Sequence, residues 1–289
     1  MPRPHIEYIQ AQALPWQHGL YAGDRPGALS RTLSVDDVTG AGSVMIKYPP
    51  GWRWDGIDHA AADEEFLVLT GALSIGARTY SRYDYGLLPA GFPRGAMTSE
   101  HGAIVVAFFS APPVARQSRA NAFDERKLVE HVDTTASDYG SRWNSYDADA
   151  ARGAKPALNV NGISKKLLRQ DPDTGDQTWL LGAVAGWPGG VIEIHPVVEE
   201  MYLVSGEIIS PMGNMQTGAY FWRPPHLRHG PFGTGKPTIH LFRTEGGPLS
   251  TVFERPATPM EWQVPYSPIL PPHLAHLAAT PVRGPWTHD

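Results

Sequence analysis

The stretch GGVIEIHPVVEEMYLVSGE (Gly189–Glu207), with GAYFWRPPHLRHG (Gly218–Gly230) following it, decides how the whole chain is read. In its first part Val191, Glu193 and His195 alternate with Ile192 and Ile194. A β-strand has a side-chain period of two, so Glu193 and His195 share one face and the isoleucines the other. Pro196-Val197-Val198 interrupts the strand and brings Glu199 and Glu200 into reach. A strand pair later, Pro224-Pro225 stiffens a turn that delivers His226 and His229. Two imidazoles and up to three carboxylates thus gather from separated strands among apolar neighbours. Neutral imidazoles and carboxylates in such company are a donor set for a divalent metal.

Working outward, the same landmarks occur twice. Leu33–Gly40 (LSVDDVTG) resembles Leu168–Gly175 (LRQDPDTG) at a shift of 135 positions. Gly51-Trp52 returns as Gly186-Trp187, and EEFLVLTG (Glu64–Gly71) returns as EEMYLVSG (Glu199–Gly206), at that same shift. Pro89 and Gly95 match Pro224 and Gly230, while His59 matches His195 one residue out of step. One offset through this many landmarks makes the chain two copies of one unit. Each copy reads as short strands separated by Gly, Pro and Asp turns with little helical periodicity, which argues for a sandwich or barrel. The expected division is a first domain over 1–113, a connector over 114–155 and a second domain over 156–289. Within the connector, Leu128, Val129 and Val132 share a helical face, so a short helix is expected over Phe123–Val132. The proline-rich tail from Pro265 is expected to lie as an extended arm on the surface or on a neighbouring subunit.

Composition bounds the function classes. Hydrophobic residues make up 42% and charged residues 18% of the 289, enough apolar material for sizeable cores. A net charge of -5 and a pI near 6.2 give no reason to expect a nucleic-acid or membrane partner. With no cysteine, disulfides, thiolate metal ligands and a cysteine nucleophile are excluded. The opening MPRPHIEYIQ has no apolar signal core and no apolar run reaches membrane-spanning length, so the expectation is a cytoplasmic protein with a small-molecule substrate. A homodimer is compatible with these features.

Both copies resemble cupin domains, and the chain resembles a bicupin over nearly its whole length. The cupin's first motif is Gly, His-x-His, Glu and a closing Gly; in the second copy Glu193, His195, Glu199 and Gly206 fall on those positions. Its second motif, Gly, Pro-x-Gly and His, falls on Gly218, Pro224 and His229, with His226 in place of the middle Gly. The second copy is most similar to the cupins of zinc-binding anti-sigma factors and of acetylacetone dioxygenase. The resemblance implies an all-β fold of two tandem double-stranded β-helices (jelly rolls). It also implies one divalent metal in the second barrel, held by Glu193, His195, Glu199 and His229, with iron favoured and zinc, manganese or nickel compatible.

In the first copy the four ligand positions read Ile57, His59, Glu64 and Arg94. Isoleucine has no donor atom and arginine stays protonated, so this degenerate site is expected to hold no metal, with Arg94 paired to Glu64. An anion pocket centred on Arg94 is the alternative. In the second copy Glu193 is the candidate catalytic residue, as a fourth ligand or as a base beside the metal. His240 alternates with Phe242 in IHLFR, as a pocket residue or as a hydrogen-bonded core histidine. His226 and Trp222 are further pocket candidates. The favoured function is a non-haem iron dioxygenase acting on a small carbonyl or diketone compound. The alternatives are a non-catalytic cupin that senses or stores a metal or ligand, and an oxygen-independent isomerase or hydrolase.

Overall fold

The structure is a computed structural model, and it describes residues 3–18, 25–55, 59–113, 123–136, 144–145, 162–254, 258–279 and 281–289. The chain divides into two compact units. The first comprises Met1–Pro4, Leu14–Tyr139 and His288–Asp289; the second comprises His5–Ala13 and Gly140–Thr287. Residues 5–13, which lie before the first copy in sequence, therefore cluster with the second unit.

The main sheet of the first unit runs Val129–Asp133, Asp84–Leu88, Glu64–Ile75, Ala103–Phe109, Gly42–Tyr48, Leu29–Val35 and Gln17–His18, each strand antiparallel to the next. That of the second unit runs Ile6–Gln10, Ala219–Arg223, Val198–Ser205, Thr238–Glu245, Gln177–Ala183, Ile163–Gln170 and Asn144–Ser145. From the second strand to the sixth, the two orders correspond at the 135-residue shift, so the sequence repeat is a repeat of topology. Alternation then fixes what faces each core. Phe66 and Val68 enter the first core with Val44, Ile46 and Val105. Met201 and Leu203 enter the second with Trp179, Phe221 and Phe242. On the opposite face the copies also agree. Tyr85 donates to Glu65 at 2.7 Å, and Tyr220 donates to Glu200 at 2.5 Å.

Gly71 and Gly206 show why the repeat keeps a glycine where the long strand bends. Both have positive φ, +71° and +94°. A Cβ at Gly71 would collide with the Gly102 carbonyl, and one at Gly206 with the Pro237 carbonyl. Each glycine lets two backbones approach where no other residue fits.

Two expectations are revised. Phe123–Val132 is not an α-helix: a single 3-10 turn over Glu125–Lys127 leads into the strand Val129–Asp133. Val129 and Val132 instead pair with Leu87 and Tyr85, and pairing to a hydrophobic sheet edge outweighs a weak helical period. In the second unit the equivalent edge is filled by Ile6–Gln10, with Ile6 opposite Trp222 and Ile9 opposite Tyr220. That is the register of Val129 and Val132 shifted by 135 on the partner strand, with a bulge at the same place. The tail is not simply extended either, since Pro272–Ala279 forms a 3-10 helix and Ile269 exchanges backbone hydrogen bonds with Glu7 at 2.8 and 3.2 Å. Among the described residues no helix is long and apolar enough to cross a membrane.

Within the first barrel Glu64 is buried and forms an ion pair with Arg94. A second cation that the motif comparison did not supply also reaches it. Arg25 donates to both Glu64 oxygens at 3.0 and 2.6 Å, and to the Tyr48 hydroxyl at 2.7 Å. His59 is half-buried, with Nδ1 3.3 Å from the Gly91 carbonyl, and Ile57 lies outside the described residues. Removing the carboxylate charge takes from buried Arg25 and Arg94 the counter-ion that they share. Glu64→Gln is therefore expected to destabilise the protein by about 3–5 kcal/mol, read as a shift in the urea unfolding midpoint. A loss below about 1 kcal/mol would show that other groups or water compensate the two arginines without it.

Candidate metal centre

The site in the second barrel is assembled by three backbone pairings. Ile192–Ile194 pairs with Val252–Glu254, and Glu193 forms a two-way bridge with His229 (Glu193 N to His229 O 2.9 Å, His229 N to Glu193 O 3.1 Å). The amide of His226 donates to the His195 carbonyl at 2.7 Å, which closes the Pro224-Pro225 turn over the strand end. Glu199 comes from the adjoining long strand, opposite Arg223 in register.

These pairings converge the four expected side chains. One donor atom each from Glu193, His195 and His229 lies within 4.8 Å of the others. His195 Nε2 is 3.7 Å from Glu193 Oε2 and 3.6 Å from Glu199 Oε1, and His229 Nε2 is 3.5 Å from Glu199 Oε2. The imidazoles are oriented from behind. His195 Nδ1 lies 3.0 Å from the Ser250 carbonyl and 3.1 Å from the Thr251 hydroxyl, and His229 Nδ1 lies 2.9 Å from the Leu227 carbonyl. An Nδ1–H donated to a carbonyl leaves the lone pair on Nε2. Both Nε2 atoms are buried without a hydrogen-bond partner.

Glu199 differs from the expectation of a freely ligating carboxylate. Its Oε2 accepts from Arg223 Nη1 at 2.7 Å. Arg223 in turn donates to Glu7 through Nε at 2.8 Å and through Nη2 at 2.5 Å. Glu7 lies 216 positions from Arg223, on the strand that joins this unit from the start of the chain. No motif pointed to it. The one signal in sequence is an alternating IEYIQ run with a charged residue on an otherwise apolar segment.

Electrostatics follow from burial. Burial, reinforced by the charge of Glu199, raises the Glu193 carboxyl to about 8. Burial opposes ionisation of Glu199 as well, but His195 and Arg223 outweigh it and hold that carboxyl below the usual range. Burial and then Arg223 lower His229 to about 4, so the imidazole stays neutral. With Arg223 offset by Glu7, the site holds an excess of carboxylate over cation and two orphaned nitrogen lone pairs. A divalent cation answers both needs, so the residues fit a metal.

A cavity of about 80 Å³ opens beside these groups. Its lining includes His240, which burial lowers to about 4, together with Trp179, Phe221 and Phe242. The other pocket candidates lie elsewhere. Trp222 is buried, but its side chain is on the outward face of the strand and outside the cavity lining, and His226 is exposed.

A family model described as a domain of unknown function (DUF4437) matches residues 7–250. The chain belongs to the DUF4437 family. Among curated proteins none matches this DUF4437 chain. Among solved structures, a candidate dioxygenase from Nostoc punctiforme is similar with a TM-score of 0.73, at 17% identity, over 88% of this chain and 92% of its own. Oxalate decarboxylase from Bacillus subtilis is similar at a TM-score of 0.51 and 14% identity, over 85% and 78%. A further structure of that decarboxylase, which has Mn(II) centres, gives 0.50 and 12% over the same shares. At these identities the likeness shows the fold, and this DUF4437 chain is all-β with the cupin fold.

The Glu7–Arg223 pair yields a pH test. Burial would raise the Glu7 carboxyl, but Arg223 outweighs it and takes it from 4.5 to about 2. A carboxyl held down in the folded state stabilises above its unfolded pKa, and that stability is lost as pH falls toward 2. Glu7→Gln is expected to lose roughly 3 kcal/mol at pH 7. Urea unfolding of both proteins at pH 7, 4 and 2.5 should show this gap closing below about pH 4.5. A gap of constant size would mean that Glu7 acts by packing alone.

Proposed function

We propose that this protein is a bicupin whose second barrel holds one divalent metal and works as a non-haem iron dioxygenase on a small carbonyl or diketone compound. The observation that carries the reading is the pair of buried, unpartnered Nε2 atoms of His195 and His229, facing Glu193 and Glu199. Buried polar atoms without partners are rare, and two converging on carboxylates support a cation there. The fold likeness to a candidate dioxygenase and to a decarboxylase with Mn(II) centres supports a metal-dependent reading.

The bound ion would supply Lewis-acid polarisation of a carbonyl oxygen and, as iron, the one-electron chemistry that dioxygen requires. The chain supplies the rest. His195 and His229 are held in the tautomer that presents Nε2. The aromatic walls exclude water, which strengthens every charge interaction inside. Glu193, in the lining of the cavity beside His195, is placed to take the proton that a diketone releases on enolising, at one carboxylate oxygen. As a fourth ligand it would instead surrender its own proton when the metal binds.

Metal titration by calorimetry is expected to give about one equivalent per chain, with His229→Ala losing it. The pH dependence separates the two roles of Glu193. If it ligates, affinity climbs about tenfold per pH unit up to about 8. If it is the base and not a ligand, affinity does not climb over that range. Iron-loaded protein should consume dioxygen with pentane-2,4-dione in an oxygen-electrode assay, and His229→Ala should not. Oxygen-independent turnover supported by zinc or manganese would replace this reading with an isomerase or hydrolase. Tight metal binding without turnover of any carbonyl compound would replace it with a sensor or storage protein.

A further inference from the structure

The cavity beside the metal centre is lined mainly by apolar side chains, among them Trp179, Leu181, Phe221, Phe232 and Phe242. Its polar lining residues are Glu193, His195, Glu199, Arg223 and His240. The first three belong to the proposed centre, and Arg223 is spent on Glu7 and Glu199. That leaves His240. It stands opposite Leu181 and Leu203 in the sheet register, in a row of inward-facing apolar residues, and its ring lies 5.6 Å from that of Phe242. The side chain is 2% exposed. The Leu181 backbone is the nearest hydrogen-bonding group to the imidazole, and it leaves at least one ring nitrogen without a partner. A purely structural position here would be filled by leucine or phenylalanine, because a buried imidazole nitrogen without a partner weakens the fold.

We propose that His240 is a substrate anchor: it hydrogen-bonds one oxygen of a small, uncharged, mostly apolar molecule whose other oxygen faces the Glu193–His195–His229 cluster. This rests on the metal-centre reading above and narrows its substrate class. The neutral imidazole donates to a carbonyl from one nitrogen, or accepts from a hydroxyl at the other. A small dianion such as oxalate is disfavoured, because the guanidinium that lines the cavity is already neutralised by two carboxylates and the walls are apolar.

The test uses His240→Leu and His240→Gln in the full chain, with pentane-2,4-dione and oxalate as probes. Binding is followed by quenching of tryptophan fluorescence, with Trp179 and Trp187 in the cavity lining. His240→Leu is expected to weaken dione binding at least tenfold while raising the melting temperature by a few degrees, since an unsatisfied polar group is removed. His240→Gln keeps a donor and an acceptor and is expected to recover most of the binding. Oxalate is expected to bind more weakly than the dione to the wild type. Undiminished dione binding in His240→Leu, a fall in its melting temperature, or oxalate binding as tight as the dione would each overturn the assignment. Metal content, measured on the same samples, keeps the two readings apart. A wild type that takes up no metal refutes the centre, while the melting shift still reports on His240. A His240→Leu protein with full metal and lost dione binding isolates the anchor.

Discussion

The Arg223 guanidinium is the constraint on which the second barrel depends. Buried among Phe221, Phe232 and the strand faces, it must be neutralised, because an unpaired charge in that setting is prohibitive. Glu7 meets it with a forked pair of hydrogen bonds and Glu199 with a single one. The geometry has two consequences. It fixes one oxygen of Glu199, so the carboxylate keeps a set orientation toward His195 and His229. It also recruits Ile6–Gln10 to the edge of a sheet whose other strands come from more than a hundred positions away in sequence. An edge strand that carries a charge-neutralising residue is specified by electrostatics as well as by its hydrophobic register.

The fold was legible because the repeat offset is a register. Strands that match at one shift must pair alike, and the shared order from second to sixth strand follows from that. The sheet edges were not legible, because they break the repeat. Val129–Asp133 fills one edge and Ile6–Gln10 the other, and these two segments stand outside the 135-residue correspondence. Leu128, Val129 and Val132 suggested a helix because a short apolar run fits either period. An open, hydrophobic sheet edge decided in favour of a strand.

Legibility of the site followed the same division. Glu193, His195, Glu199 and His229 were readable because local strand and turn geometry brings them together. Glu7 and Arg25 were not, since each reaches its partner only through the completed sheet, across 216 and 39 positions. His240 was readable as an inward-facing residue, but whether it had a hydrogen-bond partner depends on its neighbours in three dimensions. Trp222 and His226 were drawn in by nearness in sequence to His229. Strand alternation turns the first to the outer face, and the turn leaves the second in solvent.

The two barrels treat one shared repeat position in different ways. Each buries a glutamate at the same repeat position, Glu64 or Glu199, and each supplies an arginine to it. In the first barrel Arg94 stands at the position of His229 and Arg25 joins it, so the compensating cations are part of the chain and one of them occupies the ligand's place. In the second barrel Arg223 approaches from the neighbouring strand, where the first copy has Leu88. Its charge is then absorbed by Glu7, which leaves the His229 position free and the site short of positive charge. On the proposed reading, an arginine that replaces a ligand takes the place of a metal, whereas one that arrives beside it with its own counter-ion leaves that place open. The strand borrowed from the start of the chain is what makes the second arrangement affordable, because without Glu7 the arginine itself would neutralise the carboxylates that a metal needs.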